Sequence, residues 1–254
     1  MILRRLGNKS AIAHKIIPHF PPHKIFIDVF FGAGGMFFNK PKTKYNLLND
    51  LDSNVFNLFD IVSNRKDELE QQFKIMPIHS DLIKYWNKNE EIEPIRKALR
   101  FLLLSNFVMN GRGTSVRLCS ENGSSLILES LPKIHEMLFG CHFANMDFRK
   151  FIKSIADRSG SDSENIFIYC DPPYLGTADN YENGFKEQDS LDLFDVLIEK
   201  GYKFAMSEFN HPFILEQAKQ RNLNVIIIGE RQNLKNRRTE ILVTNYKNNP
   251  TLFD

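Results

Sequence analysis

Seven short apolar or alternating runs, each bounded by turn residues, punctuate this 254-residue chain and leave few folds open to it. They are KIFIDVF (24–30), YNLLND (45–50), CHFANMDF (141–148), NIFIYCD (165–171), YKFAMSEF (202–209), NVIIIGE (224–230) and TEILVTNY (239–246). Runs of this length and composition predict β-strands. Helical patterns separate most of them. In 187–201, Leu191, Phe194, Leu197 and Ile198 share one face and Gly201 ends the helix; a second pattern covers 211–221. Strands alternating with helices predict an α/β fold built on a doubly wound, seven-stranded, mainly parallel sheet. Only the basic run RQNLKNRR (231–238) separates the last two strands. That is too short for a crossover helix, so these two are expected to pair as an antiparallel hairpin.

One interval breaks the rhythm. About ninety residues lie between Asp50 and Cys141, where a crossover needs only a dozen or more. The excess, 55–135, is expected to form an inserted, mostly helical subdomain, with 1–54 and 136–254 making the main domain. NVFNLFDIVSNRKDELEQQF (54–73) and EPIRKALRFLLLSNFVM (93–109) both show helical apolar spacing. Residues 110–125 are rich in Gly and Ser, carry Arg112 and Arg117, and show no regular period; they read as a linker or a binding loop.

Charge is informative through its distribution, since the formal net value is only +2. Residues 1–27 carry Arg4, Arg5, Lys9, Lys15 and Lys24 with no acid before Asp28, and the run 231–238 holds Arg231, Lys235, Arg237 and Arg238. Two separated basic clusters suit phosphate contact. Cys119, Cys141 and Cys170 form neither a disulfide framework nor a CxxC pair, which points to a reducing compartment. The N-terminal segment lacks the apolar core of a signal peptide, and no run approaches the length of a membrane span. A cytoplasmic protein with no membrane partner is expected.

Two stretches carry chemistry. In IFIYCDPPYLGT (166–177) an apolar strand delivers Asp171, Pro172, Pro173 and Tyr174 to its end, which is where open α/β sheets bind ligands. In FIDVFFGAGGMFF (26–38) a strand carrying Asp28 runs into Gly32, Ala33, Gly34 and Gly35 and then a predicted helix, bringing backbone close to a ligand. The dinucleotide fingerprint fails at Phe37, where its third glycine belongs. An acid ahead of the loop suits a ligand bearing a positive amino group. Asp50, ending the second strand, is placed for ribose hydroxyls, so an adenosine-bearing cofactor is expected. Metal is not: HEMLF (135–139) has Phe139 where a zinc helix needs its second His.

Taken in order, the motifs resemble those of the Dam-type (D12 class) DNA adenine N6-methyltransferases. RLGNKS resembles the family's N-terminal cofactor motif, with Arg5 where Trp is frequent. DVFFGAGG resembles its S-adenosylmethionine glycine loop, NDLD its ribose-binding acid, NMDF its cofactor-adenine motif and CDPPY its catalytic motif. SEF and RRTEILVTNY resemble its later strands. The resemblance runs from about residue 2 to 247 and implies a Rossmann-like methyltransferase fold, S-adenosylmethionine as cofactor and double-stranded DNA as substrate. A cognate restriction endonuclease is a candidate partner.

It also implies roles. Asp171 and the Pro172 carbonyl would accept the two amino hydrogens of the target adenine, with Pro173 stiffening the turn and Tyr174 stacking on a base swung out of the duplex. Lys9 would pair with the cofactor carboxylate, Asp28 and Asp171 with its positive groups, Asp50 with its ribose and Asp147 with its adenine, beside Phe148. Arg5, Phe30, Gly32 and Gly34 complete the expected cofactor site. Arg112, Arg117, Arg231, Lys235, Arg237 and Arg238 are the candidates for DNA phosphate. Asp147 has a second reading as the N-cap of FRKFIKSI. The same chemistry on RNA adenine or a protein amide nitrogen, and a non-catalytic nucleic-acid-binding protein, are the alternatives; a nicotinamide oxidoreductase ranks below them because of Phe37.

Overall fold

A computed structural model describes residues 2–5, 7–108, 123–157, 161–175, 185–232 and 237–247, with the side chains of 161, 162, 231, 232 and 237 excepted. The strands are β1 (Ile25–Asp28), β2 (Tyr45–Asn49), β3 (His142–Ala144), β4 (Ile166–Cys170), β5 (Lys203–Phe209), β6 (Asn224–Gln232) and β7 (Arg237–Thr244). They form one sheet in the order β3-β2-β1-β4-β5-β7-β6. The first five run parallel, while β7 lies antiparallel between β5 and β6. The expected hairpin is present, and its return strand is wedged into the sheet. Both hairpin strands reach further into the basic run than anticipated, with Arg231 facing Arg238 in the backbone register.

The helices are α1 (Ala13–Ile16), α2 (Ser53–Asn64), α3 (Lys66–Ile75), α4 (Ser80–Lys88), α5 (Pro94–Phe107), α6 (Gly123–Leu138), α7 (Phe148–Ser154), α8 (Ser161–Glu164), α9 (Glu187–Lys200) and α10 (Pro212–Gln220). Gly201, at φ 71°, stops α9 in the left-handed conformation a side chain resists. The pattern at 54–73 divides into α2 and α3 because Arg65 (φ −137°, ψ 34°) leaves the helical region. The helix expected after the glycine loop reduces to one 3₁₀ turn, Phe37–Asn39, ahead of Pro41. A residue preceding proline is pushed out of the helical region, and Lys40 is extended. The third strand is likewise shorter than its apolar run, because Asp147 turns the chain into α7.

Alternation along the strands fills both faces. On one face Phe26, Phe167, Tyr169 and Leu242 share a core with α1 and with Phe59, Leu102 and Leu131 of the inserted helices. Opposite, Ile27, Ile168, Phe204 and Val243 pack on Phe151, Leu193 and Ile214 of α7, α9 and α10. β4, buried along its whole length, is the centre of both cores. Each such side chain contributes about 1.5–3 kcal/mol, so the strand that carries the Asp-Pro-Pro-Tyr turn is among the most firmly held.

Candidate active site

The parallel strands end at one edge, and nearly every one ends near an acid: Asp28 on β1, Asp50 after β2, Asp147 after β3, Asp171 after β4 and Glu208 in β5. β7 runs the other way, so its start brings Glu240 to the same edge.

The N-terminal segment crosses this edge. Ile2 and Leu3 are buried, and the Asn106 amide of α5 donates to the Ile2 carbonyl (2.8 Å). The Arg5 guanidinium pairs with Asp52 (3.0 Å) and lies 5.8 Å from the Phe101 ring centre. The turn that follows is closed by Asn8, whose side-chain oxygen accepts from the Ser10 amide (3.0 Å) and hydroxyl (3.1 Å). Gly35 seats this turn on the glycine loop. A Cβ there would stand 2.4 Å from the Asn8 oxygen and 2.9 Å from the Lys9 nitrogen.

Gly32 (φ 55°) and Gly34 (φ 72°) take left-handed conformations, which lets the loop turn back on itself. Asp50 latches it. One carboxylate oxygen accepts from the Gly32 amide (2.6 Å) and the other from the Asp52 amide (2.8 Å), with burial raising the carboxyl above its usual range. Asn49 locks three strand ends together, donating to Val29 and Met146 carbonyls and accepting from the Met146 amide, each at 3.0 Å. Asp28 is 1% exposed and its Oδ1 has no hydrogen-bond partner. Burial, reinforced by Asp171 and Asp50, pushes this carboxyl well above the usual range. A buried acid with an unanswered oxygen fits a positively charged or hydrogen-donating ligand.

Asp147 caps α7, accepting from the Arg149 amide (2.9 Å) and guanidinium (3.0 Å). Arg149 also reaches Asp192 (2.7 Å) and Asp189, tying this turn to α9. Beside it Phe30, Phe148 and Phe185 meet at ring separations of 5.6–6.2 Å, an aromatic wall that Phe185 completes from beyond the Asp-Pro-Pro-Tyr turn. The residues at this edge thus suit an adenosine-bearing, positively charged cofactor: buried carboxylates, an open-backbone glycine loop and an aromatic wall.

Lys9 and the β4 turn meet across the edge. The Lys9 ammonium, 3% exposed, lies 2.7 Å from Asp171 Oδ1 and 3.7 Å from Glu240 Oε1, and it stands 4.4 Å over the Tyr174 ring. Tyr174 donates its hydroxyl to Glu240 and sets its ring edge-on to Phe209 at 4.6 Å. Burial raises its phenol well above the usual range, so it stays protonated and donates. Glu208 accepts from the Phe209 amide (2.8 Å) and the Leu175 amide (3.4 Å), and burial pushes it up to about 8.

The structure therefore brings Lys9, Asp28, Phe30, Gly32, Gly34, Asp50, Asp147, Phe148 and the tetrad Asp171–Tyr174 to one edge, with Arg5 behind them on Asp52. In these side-chain positions Lys9 faces Asp171, and one face of Tyr174 is under an ammonium. Arg238, with its guanidinium 5.3 Å from the Phe209 ring centre, flanks the site; Arg112, Arg117 and Lys235, and the side chains of Arg231 and Arg237, lie outside the described residues. Sequence reasoning missed Glu208, Glu240 and Phe185. An acid inside an otherwise apolar strand was the available signal for the two glutamates. Among the described residues no three His, Cys, Asp or Glu side chains group as a metal site, and no helix is long and apolar enough to cross a membrane.

Residues 6–125 match the family model of the D12 class N6 adenine-specific DNA methyltransferase. That match covers just under half of the chain, and it likens the chain to the D12-class adenine methyltransferases. The chain is 29% identical over 184 residues to the DNA adenine methylase of Salmonella typhi, an alignment covering 68% of this chain and 64% of that protein. It therefore spans just under two thirds of that relative's length. The DNA adenine methylase of Escherichia coli K12 is 26% identical, with 88% of this chain and 86% of that protein covered. The Type II methyltransferase M1.LlaDCHI of Lactococcus lactis is 25% identical, over 95% and 93%. Among solved structures, an rRNA methyltransferase from Streptomyces viridochromogenes superimposes with a TM-score of 0.41 at 12% identity, over 95% of this chain and 85% of that one. The family match covers the N-terminal turn, the glycine loop and Asp50, whereas the tetrad and both glutamates lie beyond it.

Proposed function

We propose that the protein is a site-specific DNA methyltransferase that moves the methyl group of S-adenosylmethionine to N6 of an adenine flipped out of the duplex. The observation that carries this is the tetrad Asp171–Tyr174 at the end of the central strand, on the same edge as the glycine loop, Asp28 and Asp50. The cofactor supplies an electrophilic methyl group when bound. Asp28, Asp50, Asp147 and the wall of Phe30, Phe148 and Phe185 are the residues that would hold it, while Lys9 is turned toward Asp171.

The chain's own part is positioning. Adenine N6 is a weak nucleophile because its lone pair is delocalised into the ring. Asp171 and the Pro172 carbonyl, accepting both amino hydrogens, would favour a pyramidal nitrogen, and Asp171 would hold the hydrogen that must leave. The target base must leave the stack to reach them. Arg238 flanks the same edge and suits a DNA phosphate, and Arg231, Lys235 and Arg237 are candidates to act with it. The inserted helices 55–135 would read the target sequence. The name of the Lactococcus relative motivates a restriction endonuclease as a candidate partner.

The test is incubation with methyl-labelled S-adenosylmethionine and mixed-sequence duplex DNA, followed by digestion to nucleosides. Labelled N6-methyldeoxyadenosine, reduced about 100-fold or more by Asp171→Ala, is the expected result. Label appearing in RNA or protein while DNA stays unlabelled would overturn it.

A further inference from the structure

Glu240 is a buried charge that the reaction described above does not use. It is 1% exposed and reaches the catalytic edge only because β7 runs against β5. Its Oε1 accepts the Tyr174 hydroxyl and lies 3.7 Å from the Lys9 ammonium. Lys9 lies 2.7 Å from Asp171, donates to the Gly7 carbonyl (3.2 Å) and covers one face of the Tyr174 ring. One buried ammonium thus stands between two carboxylates carried by different strands.

At 2.7 Å from Asp171 Oδ1 the ammonium competes with an amino hydrogen for the catalytic carboxylate, and it occupies one face of the Tyr174 ring. A movement of about an ångström toward Glu240 brings the ammonium to ordinary ion-pair distance from Oε1 and away from Asp171. The charge stays paired throughout, as a buried ammonium requires. Glu208 cannot take this part. The register pairs it with Ile241, on the opposite face from Glu240 and Phe209, and both its oxygens are engaged by backbone amides.

We propose that Glu240 is a positioning residue that receives the Lys9 ammonium when Asp171 takes the target amino group, while its hold on the Tyr174 hydroxyl keeps that ring in place. This rests on Asp171 being the acceptor for the target amino group.

Glu240→Gln and Glu240→Asp separate charge from shape, since Gln still accepts the tyrosine hydroxyl but offers no anion to Lys9. In the free protein, the ¹⁵N resonance of the Lys9 ammonium, assigned by its loss in Lys9→Met, is expected to move in Glu240→Gln and to stay near its original position in Glu240→Asp. In the methyl-transfer assay, kcat is expected to fall about 30-fold or more in Glu240→Gln with KM for S-adenosylmethionine unchanged, and to recover in part in Glu240→Asp. A Lys9 resonance indifferent to Glu240→Gln overturns the shared ammonium. So does a Gln variant that turns over like the wild type. If the wild type methylates no DNA adenine, the proposed activity falls, while the resonance still decides whether Lys9 is shared.

Discussion

Glu208→Gln tests the electrostatics of the edge without touching the reacting groups. Burial pushes the Glu208 carboxyl from an ordinary 4.5 up to about 8, against the opposing pull of the Phe209 and Leu175 amides, with Asp171 and Glu240 adding to the rise. A folded-state value above the unfolded one means that the folded chain keeps a proton the unfolded chain releases. The stability from this source is fully present below about 4.5 and is lost as pH rises through about 8, at roughly 1.4 kcal/mol per pH unit, for a ceiling of about 5 kcal/mol. Glutamine does not ionise. It also puts an NH2 group where the protonated carboxyl keeps a hydroxyl oxygen, leaving either Phe209 or Leu175 without its acceptor at a cost of about 1–2 kcal/mol. Glu208→Gln should therefore be less stable than the wild type by about 1 kcal/mol at pH 5 and more stable by about 2–3 kcal/mol at pH 8.5. Urea unfolding from pH 5 to pH 9 reads this directly, provided the denaturant slope matches in the two proteins. Stability curves that run parallel across that range would show that Glu208 does not carry a raised carboxyl.

Gly35→Ala places a methyl 2.4 Å from the Asn8 oxygen, so the Lys9 turn must shift; S-adenosylmethionine affinity by calorimetry should fall about tenfold or more, while Gly201→Ala, which meets nothing within 4 Å, should cost only the strain of its left-handed φ, about 1 kcal/mol, and leave affinity unchanged. Asp50→Asn keeps one of two acceptors for the Gly32 and Asp52 amides, and urea unfolding should show a loss of about 1–2 kcal/mol. Arg238→Gln should weaken duplex binding at low salt and reduce the slope of log affinity against log salt by about one, measured by fluorescence anisotropy; an unchanged slope would remove Arg238 from the phosphate contacts.

The parallel order of β1 to β5, the β6–β7 hairpin and the placing of Asp171–Tyr174 at a strand end were all legible in the chain. The signals are local: apolar period, turn residues and loop length act within a dozen residues, and neighbouring backbone decides them. Asp147 marks where that legibility thins, since the same NMDF suits a cofactor contact and a helix cap, and the structure shows the cap bonds in place. The helix after the glycine loop was a local expectation that failed, because Pro41 leaves room for a single 3₁₀ turn.

Which groups meet across the sheet is set by long-range pairing. β7 can pair with β6 alone as a hairpin, and nothing in its own residues says that it also pairs with β5. That insertion carries Glu240 to Tyr174, 66 residues away in the chain, and to Lys9 at the opposite terminus. Buried ionic contacts of this kind depend on distances set by the whole sheet, and they hold because low-polarity surroundings make each charge seek a partner. Local sequence signals set the strand ends and the acids they carry; the packing of seven strands at one edge sets which ammonium answers which acid.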